Sequence, residues 1–373
     1  MTSSGGAMGG FSLKRARGLS PYNYFLRVCS ECGVPLVISR KHVWDENGRI
    51  TTRDGRVRLM VVERKILDAV ISKAGERVGE AYKEILKEAK ARDAEAYVRS
   101  IVGWRRKAIT LYPLAKKPMY RVLCDQARLL GMADGEISKF SRKEEYVFSC
   151  TRCYNEILMA GDIMGAIRAC EEVDARVDVI REGDEIHFVA RVTKDNGWRE
   201  RVLEFPGEEI VPGNLKYKRC GGCGVPYPVC FLSWDIEGGK ITDTFNGEEV
   251  TLVDVDGLNA SYEEVRRREG SWFDEYMARE TKKEVDSLIP RLEWKERSPE
   301  ERVKDIFFLA YRGMGNPVST KPVKGGILAE IHNPFNYPLV AGIAASFLAR
   351  GYPCDFEWKK TEKGKMQVIV RFL

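Results

Sequence analysis

Two stretches of the chain share one pattern: RVCSECGVPLVISRKHVWDENGRIT at residues 27–51 and KRCGGCGVPYPVCFLSWDIEGGKIT at residues 218–242. Each runs CxxCGVP, then Trp-Asp, then Gly-x-Ile-Thr, and the first cysteines lie 191 residues apart. Similarity that recurs at a fixed distance is typical of a repeated structural unit. We therefore predict that the chain contains an internal duplication.

The similarity extends beyond the cysteines. YVFSCTRCYNEILMAGDIMGAI (146–167) aligns with ILAEIHNPFNYPLVAGIAASFL (327–348), and each reads as a strand, an Asn-containing turn and a helix. Gly161 and Gly165 stand four residues apart, a spacing that lets a helix lie close to a neighbouring backbone, although a helix that merely tolerates glycine is an equal alternative. Apolar residues at helical spacing predict a helix over 61–92, with a counterpart over 257–288.

Each half ends in two alternating apolar segments joined by a turn, which predicts a strand–turn–strand. The predicted fold class is α+β, with two duplicated domains that each combine a small antiparallel sheet, packed helices and an N-terminal CxxC knuckle. The predicted boundaries are a disordered N-terminus at 1–19, domains at 20–192 and 216–373, and a linker at 193–215.

The composition is that of a globular protein able to bury apolar cores. Of the 373 residues, 44% are apolar and 31% charged, and the net charge is +6. No run of about 18 apolar residues could span a membrane, and the N-terminus lacks the apolar stretch of a signal peptide. We expect a cytoplasmic protein.

Six of the ten cysteines form three CxxC pairs, which favours metal binding or redox chemistry over structural disulfides. A CxxCG turn supplies two thiolates to one ion, and a structural zinc needs four. One hypothesis joins the two knuckles across the domains. The other completes the site within the first half, and an iron–sulfur cluster is less favoured. The candidate metal ligands are Cys29, Cys32, Cys220, Cys223, Cys150 and Cys153.

If the two knuckles share one ion, Cys150 and Cys153 remain outside that site. They precede a predicted helix N-terminus and flank Arg152, and both features lower thiol pKa values. A thiol or iron–sulfur redox protein is therefore an alternative function. The other interpretations are a further zinc pair or an inert buried pair.

Basic residues concentrate between Arg99 and Arg128, with Asp125 as the single acid and three aromatic residues among them. Such a stretch is typical of nucleic-acid surfaces. The matching part of the second half contains Glu296, Glu300, Glu301 and Asp305, however, which favours an ordinary solvated helix face. A zinc-ribbon nucleic-acid-binding protein is thus a third, less favoured reading.

The segments AGERVGEAY (74–82) and NPFNYPLVAGIAASFL (333–348), each with its surrounding pattern, resemble the 4-vinyl reductase domain, also called the hydrocarbon-binding domain. WDENGRIT and WDIEGGKIT resemble an uncharacterised archaeal and bacterial branch that places a CxxC knuckle before such a domain. The resemblance implies an α+β fold that encloses a small-molecule pocket. The chain departs from the family where cysteines are expected near the domain end, since it has Gly183 and Gly364 turns there instead.

No phosphate-binding GxxxxGK[ST] loop, dinucleotide-binding GxGxxG turn or GxSxG nucleophile elbow occurs in a suitable setting, so a stand-alone enzyme is not favoured. We expect a zinc-stabilised protein that binds a small apolar or carboxylated ligand and acts as a sensor, carrier or accessory factor. Its output would pass through a partner protein, and a homodimer is compatible with the sequence.

Overall fold

The computed structural model describes residues 27–102, 116–141, 144–193, 209–288, 304, 306–350 and 352–373. Within these ranges the chain forms antiparallel sheets and packed helices, so the predicted α+β class is confirmed. The strands are β1 (His42–Trp44), β2 (Ile50–Thr52), β3 (Arg58–Glu63), β4 (Glu136–Ser141), β5 (Glu145–Cys150), β6 (Asp174–Glu182), β7 (Glu185–Thr193), β8 (Leu232–Asp235), β9 (Lys240–Asp243), β10 (Glu249–Asp254), β11 (Asn316–Val323), β12 (Gly326–His332), β13 (Cys354–Glu362) and β14 (Lys365–Phe372).

The helices lie before, between and after groups of these strands along the chain. They are α1 (Leu36–Lys41), α2 (Arg64–Val78), α3 (Glu80–Val102), α4 (Lys116–Leu129), α5 (Glu156–Glu171), a 3-10 turn (Tyr227–Phe231), α6 (Asp256–Glu269), α7 (Trp272–Leu288), α8 (Phe308–Tyr311) and α9 (Tyr337–Ala349).

The two four-stranded sheets, which we call the outer sheets, have the same strand order. One runs β4-β5-β7-β6 and the other β11-β12-β14-β13, and in each a helix connects the second strand to the third in sequence. Asn155 and Asn336 cap these two helices, their side chains accepting hydrogen bonds from backbone N–H groups of the first turn. The predicted strand, Asn-containing turn and helix are therefore confirmed in both halves.

The central sheet combines strands from both halves. Its order is β1-β2-β3-β10-β9-β8, and β3 pairs with β10 in antiparallel register from Leu59↔Asp254 to Glu63↔Val250. Every residue of β3 is buried, as are five of the six in β10. The halves thus meet through a continuous hydrogen-bonded ladder in the interior.

The predicted helix over 61–92 is wrong at its start and in its middle. Residues 61–63 belong to β3, and the helical part divides into α2 and α3 at Gly79, whose φ is +83°. The counterpart divides in the same way at Gly270, where φ is +91°. Glycine adopts positive φ values without the steric penalty of a Cβ atom, so the apolar period of the sequence continues across the break between two helices.

Hydrogen bonds and buried ion pairs also cross between the halves. The indole of Trp44 donates to the carbonyl of Tyr311 at 2.8 Å, and that of Trp234 donates to the carbonyl of Leu129 at 3.0 Å. Buried Lys90 bonds Asp254 at 2.6 Å. Buried charges require such partners because an unpaired charge in the interior is costly.

Candidate metal centre and ligand cleft

The two knuckles have the same backbone. In the first, Gly33 N donates to Cys29 O and Cys29 N to Val34 O, both at 2.9 Å. In the second, Gly224 N donates to Cys220 O and Cys220 N to Val225 O, again both at 2.9 Å. The glycines have φ values of +74° and +78°, which place the second cysteine of each pair beside the first.

The structure brings the two knuckles together. The Sγ atoms of Cys29 and Cys220 lie 3.7 Å apart and those of Cys32 and Cys223 lie 3.5 Å apart, with all four within 4.8 Å of one another. These distances are far from the roughly 2.05 Å of a disulfide bond. Zinc–sulfur bonds of about 2.3 Å in a tetrahedron would separate the sulfur atoms by about 3.8 Å. The four thiols therefore form a group that can hold a metal ion.

The surroundings of the four sulfur atoms affect their ionisation in different ways. Burial raises the pKa of the Cys32 and Cys223 thiols. At Cys29 burial acts in the same direction, but hydrogen bonds from the backbone of Glu31 and Cys32 and from the Cys220 side chain outweigh it and lower the pKa. A cation among the four sulfurs favours the thiolate form of all of them, so metal binding is coupled to proton release.

Glu31 connects the tips of the knuckles. Its carboxylate accepts a hydrogen bond from Gly222 N at 2.9 Å and one from the Cys220 thiol at 3.3 Å. A Cβ atom on Gly222 would lie 2.9 Å from the Cys29 sulfur, so only glycine fits without a shift. The second knuckle is thus shaped to receive the first.

Cys150 and Cys153 lie outside this cluster. Both are buried, Cys150 at the end of β5 opposite Ile186 and Cys153 in a bridge with Ala133. The structure agrees with the hypothesis in which the two knuckles form one group across the halves. That group consists of Cys29, Cys32, Cys220 and Cys223, and the Cys150 pair is not a member of it.

The expected lowering of thiol pKa at this pair is wrong for Cys150. The neighbouring Cys153 thiol and burial raise the pKa of Cys150, and the carboxylates of Asp134 and Glu156 act in the same direction. The Arg152 guanidinium instead donates to the carbonyl of Gly239 and approaches Glu249 at 3.7 Å. Arg152 is therefore engaged by the second half.

A cleft of about 320 Å³ opens beside the N-terminus of α9. Its wall includes four basic and three acidic side chains, together with the aromatic rings of Tyr262, Tyr337 and Trp358. The charged residues are Arg58, Arg266, Lys360, Lys363, Glu209, Glu263 and Asp274. The sequence does not predict this cleft, because five separate segments of the chain contribute to its wall.

Asn333 fixes one side of the cleft. Its φ is +51°, and its side chain accepts from Val211 N at 2.8 Å and donates to the carbonyls of Val211 and Asn47 at 2.9 and 3.1 Å. Arg58 donates to the Asn333 carbonyl at 2.7 Å. The signal in the sequence is an Asn-Pro pair directly after a predicted strand, because asparagine tolerates the left-handed conformation better than most residues.

Of the four cations in the cleft, Arg58 donates to backbone carbonyls, two are paired with acids, and Lys360 is not. Arg266 contacts Asp274 at 2.7 Å and Lys363 contacts Glu209 at 3.1 Å. The ammonium of Lys360 lies over the Tyr337 ring, 4.9 Å from its centroid, and forms no ion pair with any residue that the structure describes. The cleft can therefore accept an anionic group without breaking an existing ion pair.

Two of the predicted regions fall wholly or mostly outside the described residues. These are the N-terminal segment 1–19 and most of the linker 193–215. The basic stretch 99–128 is described at both ends, where Arg99 pairs with Glu95 and Arg128 with Asp125. Its central residues 103–115 lie outside the described ranges.

Comparison with known proteins yields no relative. No protein family, characterised protein or solved structure that was compared with the chain matches it. Among the described helices, none combines the length and apolar character needed to cross a membrane.

Proposed function

We propose that the protein is a zinc-stabilised small-molecule-binding protein that acts as a sensor, carrier or accessory factor. In this proposal the four-cysteine centre holds two duplicated halves together, and the cleft beside α9 binds a carboxylated ligand. The similarity to the 4-vinyl reductase domain remains a prediction.

The shared strand order of the outer sheets, the matching Asn caps and the two identical knuckle backbones support a duplication. Zinc as the metal is supported by the donor set, because four thiolates from two CxxCG turns suit a closed tetrahedral structural site. Such a site leaves no open coordination position for a substrate.

The observation that carries the ligand-binding proposal is the cleft itself. Its volume of about 320 Å³ lies at the lower end of small-molecule sites, and aromatic walls with a few convergent polar groups are typical of them. Lys360 supplies a cation, and the rings of Trp358 and Tyr337 supply apolar surface. These groups together suit a ligand with a carboxylate on a small apolar body.

The experiment is a titration of the purified protein with benzoate and with 8-anilinonaphthalene-1-sulfonate, followed through Trp fluorescence and by calorimetry. We expect saturable binding of one probe per chain, and we expect Lys360→Ala to weaken it by roughly tenfold, the effect of losing one charge-assisted contact. Native mass spectrometry of the untreated protein would report any ligand that co-purifies.

Lys321→Ala is the matched control, because Lys321 is an exposed lysine of β11 that does not line the cleft. The proposal fails if neither probe binds to zinc-loaded protein, or if Lys360→Ala and Lys321→Ala bind equally well.

A further inference from the structure

The second knuckle carries an exposed group of aromatic side chains that the first knuckle lacks. Tyr227, Phe231 and Phe245 are 48%, 36% and 70% exposed. Consecutive ring centroids lie 5.6 Å and 4.7 Å apart, and the Lys218 ammonium lies 5.3 Å from the centroid of Tyr227. We call these four residues the aromatic patch.

The equivalent positions of the first knuckle are identified by the backbone. Leu36 N donates to Arg27 O at 2.8 Å, as Tyr227 N donates to Lys218 O at 2.7 Å. By the same offset, Arg40 corresponds to Phe231 and Asp54 to Phe245. The knuckle fold therefore does not need these rings, since the first knuckle forms the same turns with Leu, Arg and Asp.

Three of the four residues of the aromatic patch, Lys218, Tyr227 and Phe231, lie in a positively charged segment, and Phe245 follows it with its N–H donating to Asp243 at 2.9 Å. Residues 215–234 include Lys216, Lys218 and Arg219, all exposed, and no acid. Arg219 is fixed by hydrogen bonds to the carbonyls of Gly224 and Trp44 at 2.8 and 2.9 Å. Its guanidinium is therefore held close to the knuckle.

The charge of the first knuckle has the same sign. Segment 27–41 adds three exposed basic residues against one acid, Glu31. The two knuckle segments thus stay net positive after allowance for the two negative charges that four thiolates leave on a divalent ion. Such a surface favours an anionic partner.

We propose that the aromatic patch binds single-stranded nucleic acid. Exposed rings offer faces on which unpaired bases can stack, and the adjacent cations can contact phosphates, the combination by which single strands are held without sequence preference. Duplex DNA keeps its bases stacked inside, so it would use the cations alone. The aromatic patch shares no residue with the cleft beside α9 or with the basic stretch 99–128.

The test measures fluorescence anisotropy of labelled oligo(dT) and oligo(U) of about 20 nucleotides with zinc-loaded full-length protein, at about 50 and about 200 mM salt. We expect binding that weakens with salt and falls by roughly tenfold in Phe245→Ala, as expected for loss of one stacked base. Phe245→Trp should retain the affinity, because it keeps a ring at this position.

Tyr352→Ala is the control, because Tyr352 is 38% exposed and belongs neither to the aromatic patch nor to the cleft. It should bind like the unaltered protein, and zinc content and melting temperature should match in all variants. Absence of binding at the lower salt, equal affinity in Phe245→Ala, or preference for duplex of the same length would overturn the proposal. Capture of a proline-rich peptide by the rings in place of the oligonucleotides would also overturn it.

Discussion

His42 follows the first knuckle directly and is only 2% exposed. Its Nδ1 lies 3.0 Å from the carbonyl of Ile38 and its Nε2 lies 3.3 Å from the Tyr97 hydroxyl. The carbonyl can only accept, so Nδ1 donates and Nε2 accepts from Tyr97. The Tyr97 hydroxyl accepts in turn from Gln126 at 3.1 Å. This network suits the neutral imidazole, with its proton on Nδ1.

Burial lowers the pKa of His42 from 6.5 to about 4. The unfolded chain takes up this proton near pH 6.5 and the folded protein only near pH 4, so stability present above pH 6.5 is lost as the pH falls through this window. We expect this group to lower the free energy of unfolding by about 2–3 kcal/mol between these limits. Urea denaturation across the pH range measures the change.

In His42→Gln the free energy of unfolding should change less with pH between 6.5 and about 4. The comparison variant is His187→Gln. The His187 side chain is 19% exposed and bonds Ser149 at 2.8 Å, and its replacement should leave the contribution of His42 to the pH dependence of unfolding intact. Equal slopes in the unaltered protein and His42→Gln would show that the network does not select the neutral ring.

The cysteines indicated a shared metal site in the sequence only because their CxxCGVP pattern occurs twice. The twin CxxCGVP pattern allowed the cross-half site to be predicted, because each knuckle supplied half of a tetrahedral set. The choice between Cys220 with Cys223 and Cys150 with Cys153 depended on three-dimensional proximity, which spacing alone does not determine.

At the level of elements, α5 packs closely against α3 because Gly161 and Gly165 face it. A Cβ atom on Gly165 would lie 2.2 Å from the carbonyl oxygen of Ala91, and one on Gly161 would lie 2.7 Å from that of Lys87. The corresponding helix α9 uses Gly342 against Ala278, and the Ser346 hydroxyl donates to the carbonyl of Lys282 at 2.9 Å. Of the two alternatives that the glycine spacing left open, the structure shows the close approach.

Gly165→Ala should destabilise the protein by about 1–3 kcal/mol, because the added methyl group forces two helices apart. Gly75→Ala is the matched control within α2, where the nearest atom to the new Cβ is 3.8 Å away. Helix propensity predicts that this change stabilises the protein by up to about 1 kcal/mol. Thermal and urea unfolding measure both, and a Gly165→Ala variant as stable as Gly75→Ala would contradict the packing account.

Sequence periodicity was reliable for the outer strand pairs and weaker for the rest. The alternating residues of β7 and β14 gave correct strands because one face of each is buried. The backbone identifies a further pair of equivalent segments that periodicity does not. The indoles of Trp234 and Trp44 donate to the carbonyls of Leu129 and Tyr311, and Gly131 and Gly313 both have positive φ values, so residues near 127–132 correspond to those near 309–314.

For the whole molecule, the main feature that the sequence did not predict is the central sheet. The pairing of β3 with β10 joins residues about 190 apart, and no local pattern identifies a strand's partner. The cleft depends on this arrangement too, since Arg58 of β3 reaches the Asn333 carbonyl in the second half. Long-range assembly therefore determines both the interior and the candidate ligand site.

Native mass spectrometry of four proteins determines whether the two knuckles share one metal ion. We expect roughly one zinc per chain in the unaltered protein, near-complete loss in both Cys29→Ser and Cys223→Ser, and full retention in Cys150→Ser. Two zinc ions per chain, or zinc retained in Cys223→Ser but lost in Cys150→Ser, would contradict the shared site.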